Sequence, residues 1–431
     1  MSPYRAGATL ERPVGVPPAR PRRAVTSARR LALGGGLVLT ITSYGCDSNG
    51  PRTAISATAT ATPRATATAS ATPPATPSAS PTPTATAPPS PTPDQRLRAL
   101  AAAAGVFVGA AFVEGSDEPE FRALLAREFN STTAPVYWAS TEPQRGTYDF
   151  TVPDTAVAIA AANGLRVRGH PLVWGRLALP DYVNQITDPD DLRALMAEHI
   201  ESVVGRYRGR IVQYDVVNEP LTFLGDPGST GTGLEDYVFL RVLGPGYIRE
   251  ALDLAHAADP EAELFINEFF VERPGPKQDY FYELARGLVV AGAPLHGVGL
   301  QGHITPPFGP QYRPTQGEIA AAVRRFADLG LAVEITELDV TLADPATELV
   351  QQAHTYADVF AGCLSVPACR GITTWGISDK NTWIRDFFHV EGAPLLFDEN
   401  YMPKPAYFAA RDVLRQVATR SHREAAFQQH Q

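Results

Sequence analysis

The sequence predicts an α/β fold closed into a parallel (β/α)8 (TIM) barrel, and three observations predict it. From about Gln95 to Thr419, eight short apolar or β-branched runs alternate with helical patterns. Roughly 320 residues for eight strand–helix units is the size of such a barrel. No Gly-rich dinucleotide turn follows the first run, so the competing open doubly wound sheet lacks its marker. The strand runs, in order, are Val106–Val113, Thr132–Val136, Leu165–His170, Ile211–Val217, Leu264–Ile266, Gly297–Leu300, Ala332–Ile335 and Ile372–Trp375. Helices lie between them. In GYIREALDLAHAADP, Ile248, Ala251, Leu252 and Ala255 fall at i, i+3, i+4 and i+7, and Asp259-Pro260 stops the helix. A second helical pattern runs from Tyr280 to Val290.

The 431 residues carry a formal charge of −9, unevenly spread. Residues 1–93 hold nine Arg against two acidic residues, and the remainder holds 28 Lys+Arg against 44 Asp+Glu. An acidic body of this kind is not built for nucleic acid. Residues 1–46 read as an export signal: Arg20, Arg22, Arg23, Arg29 and Arg30 precede an apolar run, Leu31–Tyr44, too short to span a bilayer as a helix. Gly45-Cys46 follows as in a lipoprotein cleavage site, which makes Cys46 a lipidation candidate and the only route to a membrane. Arg29-Arg30 also fits twin-arginine export. From Thr53 to Pro93 every residue is Ala, Thr, Ser or Pro except Ile55 and Arg64, so 47–94 is expected to be a disordered, extended tether. Residues 95–419 form the folded domain and 420–431 a disordered tail. The mature chain is expected outside the cytoplasm, as a monomer.

In a parallel barrel, chemistry sits at the C-terminal ends of the strands. There the third run ends at His170, the fourth at Asn218-Glu219, the sixth at Gln301-Gly302-His303, the seventh at Glu337-Leu338-Asp339 and the eighth at Trp375. Residues two apart on a strand share a face, so Gln301 and His303 should point together, as should Glu337 and Asp339. A strand-end Glu is more often an ion-pair partner than a catalyst, but polar groups gathered at the same end of five strands are a site. The nine His show no H-x-x-x-H or H-x-H spacing, so neither metal nor cofactor is expected, and no G-x-S-x-G elbow appears. Two glutamates across a barrel mouth are the equipment of glycoside hydrolysis.

These residues carry a resemblance. YDVVNEP, GVGLQGHI, VEITELDV and GITTWGISDKNTW, with RGHPLVW upstream and PLLFDENYMPKPAY downstream, resemble glycoside hydrolase family 10, the retaining endo-β-1,4-xylanases, over about Val106–Leu414. The resemblance implies the barrel fold, xylan as substrate, Glu219 as acid/base and Glu337 as nucleophile, with their carboxyl groups about 5–5.5 Å apart. It implies that Asn218 binds the sugar 2-hydroxyl and that His303 and Asp339 orient the nucleophile. His170, Trp174 and Gln301 match residues lining the cleft. Trp375 and Trp383 are expected to stack on sugar, while Trp138 fits the core equally well. Cys363 and Cys369 stand where some members carry a disulfide.

The chain departs from the family at the second strand, usually Thr-Pro-Glu-Asn-x-Met-Lys-Trp. Here Tyr137 stands at the lysine position, with Thr133 and Ala134 near the Glu-Asn pair, so Tyr137 is expected to contact substrate by stacking. Gly175 replaces a His after Trp174, and Asn267-Glu268-Phe269 replaces Asn-Asp-Tyr. The alternatives are the same chemistry on another β-linked glucan, or a surface glycan-binding protein without catalysis.

Overall fold

The computed structural model describes residues 95–113, 115–222, 233–304 and 312–428, with side chains to 421. The expected export segment and tether, with Cys46, lie outside the described residues. The strands are β1 (Phe107–Ala111), β2 (Ser131–Pro135), β3 (Arg166–His170), β4 (Gln213–Asn218), β5 (Glu263–Glu268), β6 (Gly297–Leu300), β7 (His303–Ile304), β8 (Ala332–Val340) and β9 (Cys369–Thr374). The helices are α1 (Leu97–Ala104), α2 (Pro119–Glu128), α3 (Trp138–Thr141), α4 (Thr151–Asn163), α5 (Asp181–Asn184), α6 (Pro189–Tyr207) and α7 (Val238–Leu243). They continue with α8 (Tyr247–Ala258), α9 (Pro276–Val290), α10 (Gln316–Ala327), α11 (Leu349–Leu364), α12 (Trp383–Phe388) and α13 (Pro405–Gln428). Every strand pairing is parallel. β1 pairs with β9 and β6 with β8, which closes an eight-stranded barrel, and the two-residue β7 adds to β8 at its C-terminal end.

Local chemistry explains the elements. α6 starts on Asp188, whose carboxylate accepts from the backbone N–H of Asp190 and Asp191. α10 starts on a capping box between Thr315 and Glu318. α8 buries the predicted stripe of Ile248, Ala251, Leu252 and Ala255 and ends at Asp259. Helix α13 corrects the expected tail: it runs to Gln428, because Arg, Glu, Ala and Gln beyond Thr419 prolong a helix already nucleated by packed turns. Its buried Tyr407 donates to Glu128 Oε2 at 2.8 Å. Cys363 and Cys369 are disulfide-bonded, joining the end of α11 to the start of β9.

The barrel interior is ionic at one level. Arg168 is buried and binds both oxygens of Asp215, with Nε to Oδ2 at 2.7 Å, and Glu334 Oε2 at 2.9 Å. Its guanidinium lies over the Phe265 ring. Arg166 reaches Glu263, Gln213 and Glu334. Two glycines of β6 make room for these groups. A Cβ on Gly297 would lie 2.4 Å from the Phe265 ring, and one on Gly299 would lie 2.1 Å from Asn267 Oδ1.

Candidate active site

The strand that carries Asn218-Glu219 is irregular where it matters. The β4–β5 register shifts between Asp215 and Val217, a bulge that re-aims the residues after it. Glu219 then sits at φ +51°, a left-handed conformation costly for a side-chain-bearing residue and more so before a proline. The surroundings hold it there: its N–H donates to the Asn267 carbonyl at 2.8 Å. A strained backbone over-determined by its neighbours is a usual feature of working sites.

The Glu219 carboxyl is buried but hydrogen-bonded. Trp174 Nε1 donates to Oε2 at 3.0 Å and Gln301 Nε2 to Oε1 at 3.2 Å. Arg176 Nε lies 3.4 Å from Oε2. Burial pushes its pKa up, Gln301 opposes this, and the nearby charge of Glu337 adds to it. A carboxyl raised in this way is suited to hold a proton until a leaving group needs it.

Glu337 lies at a second irregularity, where the β8–β9 register shifts between Ile335 and Leu338. Its Oε1 accepts from Asn267 Nδ2 at 2.7 Å, and its Oε2 lies 3.1 Å from His303 Nε2. His303 Nδ1 lies 2.9 Å from Asp339 Oδ2, which also accepts from Trp383 Nε1 at 2.8 Å. Burial opposes a charge on His303, but Asp339 and Glu337 outweigh it and hold its pKa well above the ordinary value. The imidazolium therefore donates from both nitrogens, one to each carboxylate. One ring thus joins Glu337 and Asp339 as the two-residue spacing predicts. The same rule holds for Gln301 and His303, which line the same cavity. Gly302, at φ +79°, lies between β6 and β7, and the two side chains reach different carboxylates, Gln301 that of Glu219 and His303 those of Glu337 and Asp339.

Asn267 is the link that reading the sequence for a site missed. Its Nδ2 donates to Asn218 Oδ1 at 2.8 Å and to Glu337, while Thr336 Oγ1 donates to its Oδ1 at 2.7 Å. Its position at the C-terminal end of the fifth strand was the available signal. Asp215 was missed too: it accepts from Arg168 and lies 2.9 Å from His170 Nδ1, fixing that ring. Arg176, on a loop, gave no signal. Below Glu219, Glu268 and Lys277 form a buried pair at 2.8 Å. Burial pushes Glu268 up to about 7 despite Lys277.

Tyr137, His170, Trp174, Asn218, Gln301, His303, Trp375 and Trp383 all line one cavity of about 380 Å³ with both glutamates. The Tyr137 ring meets His170 edge-on at 5.7 Å and tilts against Trp174 at 6.0 Å. Trp375 meets the edges of His170 and His303. A wider hollow of about 740 Å³ shares Tyr137, Trp375 and Trp383, so the site opens into a groove. Trp138 is core instead. It is 1% exposed, stacks on His199 at 3.9 Å, and donates to Glu142, which also accepts from the Gly146 N–H.

Residues 96–413 match the family described as Glycosyl hydrolase family 10. The chain is 37% identical over 311 residues to the endo-1,4-beta-xylanase A of Humicola insolens, covering 71% of this chain and 80% of that one. It is similar to the native xylanase 10B of Thermotoga maritima, with TM-score 0.69 and 33% identity over 75% of this chain and 99% of that one. It is similar also to the xylanase 10B of Thermotoga petrophila in complex with xylobiose, with TM-score 0.69 and 34% identity over 75% of this chain and 98% of that one.

Proposed function

We propose the roles below from one premise that the comparisons establish: the chain belongs to glycosyl hydrolase family 10. It is an endo-1,4-β-xylanase of the retaining type. The residue roles rest on one observation: two buried glutamates share a cavity and have different hydrogen-bond partners. Glu337 faces Asn267 and the His303 imidazolium and acts as the nucleophile at the anomeric carbon. Glu219, its pKa raised by burial, protonates the leaving oxygen. Once Glu337 is esterified its negative charge is gone, and the part of the Glu219 shift due to that charge goes with it. Glu219 then accepts a proton from water as the water attacks, releasing Glu337.

Asn218, oriented by Asn267 and Gln301, is placed to meet the sugar hydroxyl beside the cleaved bond. Tyr137, Trp375 and Trp383 offer ring faces and edges along the groove, which suits a chain bound along its length and cut internally. The basic, apolar and Cys46-bearing first segment and the Pro-rich stretch after it support an exported, surface-tethered enzyme. The test is xylan incubated with wild-type protein and with Glu337→Ala, sizing the products and following their anomeric configuration. Wild type should release short oligosaccharides with retention, and the variant should lose several orders of magnitude in rate. Inverted products, or a variant that still turns over, would overturn these assignments. A panel of β-linked glucans run alongside decides the preferred backbone.

A further inference from the structure

The loop after β3 carries a feature that the two-glutamate chemistry does not use. A Cβ on Gly175 would lie 2.3 Å from Cγ of Tyr237 and 2.5 Å from Cδ2. The Tyr237 ring occupies the space a side chain would take, close against the loop backbone beside the next residue, Arg176. Arg176 reaches two carboxylates: Nε is 3.4 Å from Glu219 Oε2, and an Nη is 3.6 Å from Glu235 Oε1. Trp174, on the same loop, donates to the same Oε2 at 3.0 Å. The loop therefore brings a hydrogen bond from Trp174 and the charge of Arg176 to one oxygen of Glu219, while Gln301 bonds the other.

We propose that Arg176 is a positioning residue for the second half of the reaction, holding the Glu219 carboxylate in place as it takes a proton from water. The proposal rests on the reading of Glu219 as acid/base. In the first half Glu219 is protonated and neutral, so a neighbouring guanidinium gains little from it. In the second half the water oxygen bonds to the anomeric carbon, the bond from that carbon to the Glu337 oxygen breaks, and the water proton passes to Glu219. Until that transfer Glu219 is an anion and the pair with Arg176 is at full strength, so the interaction is differential between the two steps. The other charged groups facing Glu219 are Glu337 from β8, Glu268 from β5 and Lys277 from α9. Glu268 and Lys277 are bonded to each other. Among the described residues, Arg176 is the cation in ion-pair contact with Glu219, and Glu235 shares it.

The experiment compares Arg176→Gln, Arg176→Lys and Glu235→Gln with wild type on two substrates. On a dinitrophenyl β-xylobioside the leaving group needs no proton, so kcat reads hydrolysis of the covalent intermediate. Arg176→Gln should lower that kcat by about threefold to tenfold. On xylan, the basic limb of kcat/KM reports loss of the Glu219 proton. Without the cation the proton is held more tightly, so Arg176→Gln should move the limb to higher pH. Arg176→Lys should restore both readouts, and Glu235→Gln should move the limb to lower pH. A merely structural Arg176 would leave the limb at its wild-type position, with Lys no better than Gln, and that result overturns the proposal alone. Glu219→Ala is run beside them. If it keeps the basic limb, or if azide fails to restore its turnover of the aryl glycoside, the reading of Glu219 falls and this proposal with it.

Discussion

The imidazole of His303 shows how much one residue settles at this site. Flanked by Glu337 at 3.1 Å and Asp339 at 2.9 Å, it is charged at neutral pH, with a pKa well above the ordinary value. A group whose folded pKa is raised contributes stability that is fully present below its unfolded value, about 6.5, and lost as pH rises through the folded value. His303→Phe should therefore melt below wild type by a margin that is widest in mildly acidic buffer and narrows toward alkaline pH. Thermal melts of both proteins across that range check this, and a pH-independent margin would contradict it. Neighbouring residues of similar type divide by what they touch. Trp383 donates to Asp339 and lines the groove, whereas Trp138 is sealed between His199 and Phe239.

At the scale of the element, the strands place the groups that line the cavity by breaking their own regularity. The bulge in β4 precedes Asn218 and Glu219, successive residues that both line the cavity, where a regular strand would send them to opposite faces. β6 contributes by having no side chain where Asn267 lies. Gly299→Ala would set a methyl 2.1 Å from Asn267 Oδ1 and 2.9 Å from Thr336 Cγ2. Asn267 would have to move, releasing both Asn218 and Glu337. Overpacking of this kind costs about 1–3 kcal/mol, yet kcat/KM on xylo-oligosaccharides should fall on the order of a hundredfold, because misplacement by an ångström is expensive in catalysis. Steady-state kinetics beside a denaturant titration separates the two effects.

At the scale of the whole molecule, the barrel is held at its centre by charge as well as by apolar packing. Arg168 joins Asp215 on β4 to Glu334 on β8 across the interior, and Asp215 in turn fixes His170 in the site. Burial works against the Asp215 carboxylate, but Arg168 and His170 outweigh it and hold its pKa below the usual range. A depressed carboxylate contributes stability above its unfolded pKa of about 3.9, and this is lost as pH falls through the folded value. Arg168→Met would leave buried Asp215 without its guanidinium, and Glu334 with Arg166 alone, and should cost about 3–5 kcal/mol in urea unfolding at neutral pH. The gap to wild type should close as the pH drops toward acid unfolding.

The barrel, the strand ends that bear chemistry and the two glutamates are all legible in the amino-acid sequence, because periodicity and strand-end position are local properties of the chain. Glu219 and Glu337 follow from reading which polar residues end the fourth and seventh strands. The tertiary structure decided the rest. Asn267 bridging Asn218 to Glu337, Arg176 reaching Glu219, Tyr237 filling the space at Gly175 and Trp138 turning to the core all depend on register shifts and on contacts between distant segments. The helical run to Gln428 likewise depends on packed turns upstream. A sequence states which groups are available at the mouth of the barrel. Which of them touch is set by bulges, glycine gaps and close packing, where a displacement of an ångström or two changes the partner.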